Sequence, residues 1–162
     1  KYFFICFYLF LFPFKVAISM DVVTKGNIQI SSAWSRPTVN LKLPGSAYLS
    51  IKNFGSKNDS LTAVETPIAK KAELHNHIIE KGIMKMRRIS IIDLPPNSTT
   101  TLKPGGIHIM LFKLNKMLEV GQKFPLNLTF KRAGNIEIMA NVVKDSTRIL
   151  ELNKKNNKTH TH

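Results

Sequence analysis

Residues 72–89 read AELHNHIIEKGIMKMRRI, and this stretch gives the clearest indication of how the chain folds. Two runs containing apolar and β-branched residues, 72–79 and 83–89, flank a short polar loop at 80–82. Gly82 closes that loop and suits a left-handed backbone conformation, which tight hairpin turns require. The pattern predicts a β-hairpin.

The rest of the chain repeats this pattern of short strands separated by clusters of Gly, Pro, Asn and Asp. Six further strands are predicted, at residues 27–33, 46–52, 61–64, 107–114, 124–131 and 136–143. No window of a dozen residues has a convincing helical period of 3.6 residues. Many short strands at close spacing are typical of an all-β sandwich or barrel, and 162 residues are enough for a single domain.

The two ends of the chain differ from this strand-rich middle. Residues 3–12 are an unbroken apolar run, shorter than a membrane-spanning helix and followed by small residues that suit signal cleavage. We therefore predict a signal peptide at 1–19 and an exported protein, with an uncleaved membrane anchor as the alternative. Residues 153–162 contain no apolar residue and are predicted to be a disordered tail, which leaves 20–152 as the domain.

The chain is strongly basic, with 24 Lys and Arg against 10 Asp and Glu and a formal net charge of +14. A basic excess of this size suits three kinds of partner: nucleic acid, an anionic membrane surface and an acidic protein. The lysines are spread along the chain without a basic helix or interleaved aromatics, which argues against nucleic acid, as does the export signal. Peripheral contact with an anionic membrane stays open. Lys85, Arg87 and Arg88 are expected to form a basic rim that faces an acidic partner.

Every histidine outside the tail lies near a methionine at a spacing that suits strands. Side chains alternate along a strand, so residues two apart share a face. Three such pairs are His75 and His77, Met84 and Met86, and His108 and Met110. Taken singly, residues of these types more often pack or form structural hydrogen bonds. Taken jointly, imidazole with soft thioether favours Cu(I), and imidazole also binds Cu(II), whereas zinc and iron gain little from methionine.

The spacing of these residues resembles the signature of a known family, the periplasmic copper chaperones called PCu(A)C. The resembling pattern is His75-x10-Met86-x21-His108-x-Met110. Flanking segments are also similar: Trp34-Ser35-Arg36-Pro37, Gly82-Ile83-Met84-Lys85-Met86-Arg87 and Lys103-Pro104-Gly105-Gly106. The resemblance covers residues 27–143, nearly all of the predicted domain.

The resemblance implies a cupredoxin-like β-barrel that holds one Cu(I) ion and has no enzymatic activity. The ligands it implies are His75, Met86, His108 and Met110. It further implies a periplasmic protein that delivers copper toward the copper-site subunit of cytochrome c oxidase, beside a thiol-bearing copper chaperone.

Roles for the remaining histidines and for one methionine are expected to be secondary. His77 is a candidate auxiliary ligand, and Met84 is expected to be a packing residue. His160 and His162 in the tail are candidates for capturing Cu(II). Two other functions stay open at this point: copper storage or scavenging, and a basic β-sandwich for adhesion or binding in which the His and Met residues only pack.

Overall fold

Eleven β-strands joined by turns make up residues 21–144, the part of the chain that the computed structural model describes. The strands are β1 Val22–Lys25, β2 Ile28–Ser35, β3 Gly45–Asn53, β4 Asp59–Glu65, β5 Ala69–Glu80, β6 Ile83–Arg88, β7 Ile92–Leu94, β8 Ser98–Leu102, β9 His108–Leu114, β10 Lys123–Phe130 and β11 Gly134–Val142. The predicted signal peptide, the predicted tail and its histidines, His160 and His162, lie outside the described residues. Residues 21–144 contain no helix long and apolar enough to cross a membrane.

All eight predicted strands are present, and each end lies within three residues of its predicted position. The predicted hairpin is β5–β6, but its loop has two residues rather than three, since Glu80 pairs with Ile83. Lys81 and Gly82 have φ of 52° and 77°, the two successive positive values that a type I′ turn needs. β1, β7 and β8 were not predicted, because two are very short and β8 reads Ser-Thr-Thr-Thr-Leu.

One continuous sheet encloses the main hydrophobic core, and Trp34, Tyr48 and Val143 form a second, smaller buried cluster. Its strands pair in the order β6-β5-β9-β3-β2-β11-β10-β4-β7, with β1 against β2 and β8 against β3. β7, at one end of this order, also packs against β3 from its middle, so the sheet folds over on itself. Alternate residues of β10 and β11 fill the core, including Leu126, Leu128, Ile136 and Ile138. The all-β, single-domain prediction is confirmed.

Asp59 ties the start of β4 to the β10–β11 turn. Its buried carboxylate accepts hydrogen bonds from the backbone N–H groups of Ser60 at 2.7 Å, Arg132 at 2.9 Å and Ala133 at 3.1 Å. Asp59→Ala is expected to lower the free energy of unfolding by about 2 kcal/mol, because these donors lose a charged acceptor. Urea denaturation measures the change, and Glu65→Ala, at an exposed site on the same strand, should stay within about 0.5 kcal/mol of wild type.

Candidate metal centre

Three neighbouring strands present the predicted ligands on one face of the sheet. β5 lies between β6 and β9, with His77 opposite Met86 on β6 and His75 opposite His108 on β9. Side chains of directly opposed residues project from the same face, and Met110 shares the face of His108 by alternation. The strand that brings His108 and Met110 to the hairpin is therefore β9, a pairing that the sequence left undetermined.

A cavity of about 280 Å3 opens at this face. The candidate ligands that line it are His77, Met86, His108 and Met110. Its other walls include Arg36, Pro44, Tyr48, Pro104 and Gly105. The signature residue His75 is not among the lining residues, and its ring centroid lies 6.1 Å from that of His108. The structure thus places these five candidates on one face of the sheet, and four of them, all except His75, line the cavity.

The two candidate thioethers differ in their access to solvent. Met110 is 8% exposed, whereas Met86 is 44% exposed and lies on β6, the edge strand of the sheet. Met86 is therefore the candidate ligand that an approaching molecule can reach most directly. Met84 is also exposed, so the prediction that it packs is wrong. The reason is that every residue of β6 is exposed on this projecting edge.

A single backbone carbonyl orients two of the imidazoles. Nδ1 of His108 and Nδ1 of His77 lie 2.8 Å and 3.2 Å from the carbonyl oxygen of Gly106, and the two rings stack with centroids 5.1 Å apart. A carbonyl oxygen only accepts, so in both rings Nδ1 carries the proton. This tautomer leaves the Nε2 lone pair of His77 and His108 as the group that can bind a metal ion.

His75 is oriented in the opposite sense, by a carboxylate. Its Nε2 donates to Glu73 Oε2 at 2.9 Å, so the nitrogen with the free lone pair is Nδ1. That Nδ1 is buried and finds no hydrogen-bond partner among the residues that the structure describes. A buried polar atom without a partner is unfavourable, and a cation bound there would satisfy it. The residues present therefore fit a metal ion at this position.

The pKa of the Glu73 carboxyl group and that of the His108 imidazole are both lowered in the site. The hydrogen bond from His75, followed by that from Lys71, lowers the pKa of Glu73 from 4.5 to about 2. Burial is the main reason that the pKa of His108 is lowered, and the neighbouring His77 and His75 act in the same direction. Metal binding requires the neutral form of histidine, so the lowered pKa of His108 keeps it ready at neutral pH.

The basic residues of β6 do not surround Met86 as expected. Lys85 and Arg87 alternate with Met86, so they project from the opposite face of β6, where each pairs with Glu80 at 2.9 Å. Arg88 shares the face of Met86 but lies 3.4 Å from Glu73. These charges are largely engaged within the molecule, and the predicted basic rim is not formed around the cavity.

Sequence reasoning missed four residues that shape the site. Glu73 and Gly106 hold the imidazoles, the ring centroid of Tyr48 lies 6.4 Å from that of His108, and the Trp34 ring packs at a tilt against Tyr48 with centroids 4.5 Å apart. Glu73 was accessible to prediction, because it lies two residues before His75 on the same strand face. The direction of the Gly106 carbonyl depends on the turn that precedes β9, which residue types alone do not specify.

Comparison with known proteins finds a family model and relatives that match this chain. The family model described as "Putative lipoprotein LpqE-like" matches residues 28–142. "Putative lipoprotein Lxx21020" of Leifsonia xyli is 34% identical over 123 residues, which are 73% of this chain and 70% of that protein. "Uncharacterized protein RP573" of Rickettsia prowazekii is 31% identical over 101 residues, covering 60% of this chain and 56% of that protein.

Solved structures with the same fold are PCuAC domains. The copper-bound PCuAC domain from PmoF2 is 28% identical with a TM-score of 0.67, over 78% of this chain and 100% of that domain. The apo PCuAC domain from PmoF1 is 27% identical with a TM-score of 0.66, over 77% of this chain and 100% of that domain. The Cu(I) form of DR1885 from Deinococcus radiodurans shares the fold, with a TM-score of 0.54 and 24% identity. The match covers 76% of this chain and 81% of that protein. The cupredoxin-like prediction is confirmed.

Proposed function

Because the chain belongs to the LpqE-like family, which comprises the PCu(A)C domains, we propose that it binds one Cu(I) ion and serves as an exported copper chaperone. The proposed ligands are two imidazoles and two thioethers: His75, Met86, His108 and Met110. His77 is proposed as an auxiliary ligand, because it lines the cavity and offers its Nε2 lone pair. The observation that carries the proposal is this gathering of imidazoles and thioethers on three adjacent strands.

The chemistry of the donor set supports copper over other metals. Among residues 21–144, no group of three or more His, Cys, Asp or Glu side chains is arranged to hold a metal ion. The five candidates comprise three histidines and two methionines, so any four of them include a thioether. Thioether sulfur favours Cu(I), and the imidazoles also suit Cu(II). A PCuAC domain that is 28% identical over its whole length holds copper, which agrees with this proposal.

The same donors suit a carrier that releases its cargo. All four proposed ligands are neutral, so no thiolate anion holds the ion, and the exposed Met86 gives a partner access to it. We propose delivery to the copper-site subunit of cytochrome c oxidase, with a thiol-bearing copper chaperone as a second partner and no catalytic step. Export to the periplasm is proposed from the apolar run at residues 3–12, and the relative from Leifsonia xyli carries the name "Putative lipoprotein Lxx21020".

Anaerobic titration of residues 20–162 with Cu(I) tests the binding. The single tryptophan, Trp34, packs against Tyr48, which lies beside His108, so its fluorescence reports on the site. We expect a fluorescence change that saturates at one equivalent of Cu(I) and is matched by Ag(I), another soft monovalent ion, but not by Zn(II). Absence of saturable binding, or equal binding of Zn(II), would contradict a thioether copper site.

A transfer assay tests the proposed role. The Cu(I)-loaded protein is mixed with the apo form of the soluble copper-site domain of cytochrome c oxidase, and copper is quantified on each protein after separation. We expect copper to move to the oxidase domain within minutes, in an amount that depends on the ratio of the two proteins. If the protein binds Cu(I) but keeps it at every ratio, copper storage or scavenging replaces delivery.

A further inference from the structure

Glu73 places a carboxylate in direct contact with a proposed copper ligand. Its side chain is 9% exposed, and its Oε2 accepts the hydrogen bond from His75 Nε2 at 2.9 Å. The other oxygen, Oε1, accepts from Lys71 Nζ at 2.7 Å and faces Arg88 Nε at 3.4 Å. Two cations from two strands therefore hold the carboxylate in place while it contacts His75.

This arrangement gives the imidazoles of the site different orientations. His77 and His108 each donate through Nδ1 to the Gly106 carbonyl and present Nε2, whereas His75 donates through Nε2 and presents Nδ1. The His75 ring is largely buried, with its centroid 5.9 Å from that of Phe112 and 6.1 Å from that of His108. In the other tautomer, Nε2 and the carboxylate would face each other without a proton, and Nδ1 would lose its free lone pair.

We propose that Glu73 is a positioning residue, which fixes the His75 tautomer so that Nδ1 is the nitrogen offered to copper. This inference rests on the proposed function for its metal, whereas its geometry is that of the described side chains. Hydrogen bonds from ligand imidazoles to carboxylates are a recurring means of orienting the ring and raising its basicity. The copper site then joins one Nδ1 donor with one Nε2 donor, each set by its own acceptor.

The tautomer is measured directly in the apo protein, without copper. Long-range 1H–15N NMR on protein labelled with 15N-histidine distinguishes the two tautomers of each ring. We expect the Nε2–H form for His75 and the Nδ1–H form for His77 and His108. In Glu73→Ala, His75 should lose its single tautomer and show exchange between both forms. In Glu73→Gln, the amide oxygen can still accept from Nε2, so the tautomer should be retained.

Cu(I) affinity provides the second readout. Glu73→Ala is expected to weaken binding by about 10- to 100-fold, and Glu73→Gln should recover most of that loss. Glu80→Ala is the matched control, because Glu80 also pairs with two basic side chains but lies on the opposite face of the hairpin. Its affinity should equal that of wild type.

The outcomes separate this proposal from the function on which it rests. An Nδ1–H tautomer at His75 in the wild-type protein, or an unchanged tautomer and affinity in Glu73→Ala, would overturn the positioning role. If Glu73→Ala does not fold, the wild-type spectrum and Glu73→Gln still decide the matter. If the wild-type protein binds no Cu(I), the proposed function fails, while the apo tautomers still show whether Glu73 orients His75.

Discussion

Replacing His108 with alanine is expected to lower the affinity for Cu(I) by more than about 100-fold. Loss of a ligand should weaken binding more than loss of a residue that only hydrogen-bonds to a ligand, which typically costs about 10- to 100-fold. His108 lies at the centre of the site, with its ring near those of His75, His77 and Tyr48. It is buried and held by the Gly106 carbonyl, so no neighbouring side chain takes the same position without rearrangement. Competition with a chromogenic Cu(I) chelator under anaerobic conditions measures the affinity.

His77→Ala is the informative comparison for this result. His77 also lines the cavity and also donates to Gly106, but we propose it as an auxiliary ligand. Its loss should weaken Cu(I) binding by about tenfold or less, which is the smallest loss of affinity expected when a residue outside the ligand set is removed. The apo variants are first checked for folding by far-UV circular dichroism and urea denaturation. If His77→Ala loses more affinity than His108→Ala, the ligand set carried by the signature is wrong for this chain.

Strand alternation explains how much of the site could be predicted. The pairs His75 and His77, and His108 and Met110, were placed on shared faces from spacing alone, and the register confirms this geometry. The pairing of β9 with β5 was not predictable in the same way, because it joins residues far apart in sequence and is fixed by the whole sheet. Local periodicity specifies which side chains share a face but not which strands become neighbours.

The surroundings of Met86 depend both on the alternation of side chains along β6 and on the place of β6 in the sheet. Alternation predicts that Lys85 and Arg87 project from the other face of β6 than Met86 does, so the sequence itself argues against a basic rim around Met86. Met84 was expected to pack because methionine usually does, yet β6 is an edge strand and exposes it. Whether a strand lies at the edge depends on the order of all strands in the sheet, which residues 83–88 do not specify by themselves. The fold was thus predicted more fully than the surroundings of the site.

The two proposed thioether ligands should respond differently to substitution, because their burial differs. Met86→Leu and Met110→Leu both remove sulfur while nearly conserving volume, and each is expected to weaken Cu(I) binding by more than about 100-fold, beyond the loss of an outer partner. Met86 is exposed, so Met86→Leu should leave the free energy of unfolding of the apo protein within about 0.5 kcal/mol of wild type. Met110 is buried, so Met110→Leu is expected to cost less than about 1.5 kcal/mol, and Met110→Ala about 2 to 5 kcal/mol.

Comparing leucine with alanine separates the role of the sulfur from the role of the volume. If Met110 only packs, Met110→Leu should bind Cu(I) like wild type while Met110→Ala loses stability, and the proposed ligand set would then be wrong at this position. Met117→Leu is the matched control for Met86, since it is 43% exposed and does not line the cavity. It should change neither affinity nor stability. A Met86→Leu protein that binds Cu(I) as tightly as Met117→Leu would exclude Met86 as a ligand, because thioether coordination is the only contribution that this exposed side chain is proposed to make.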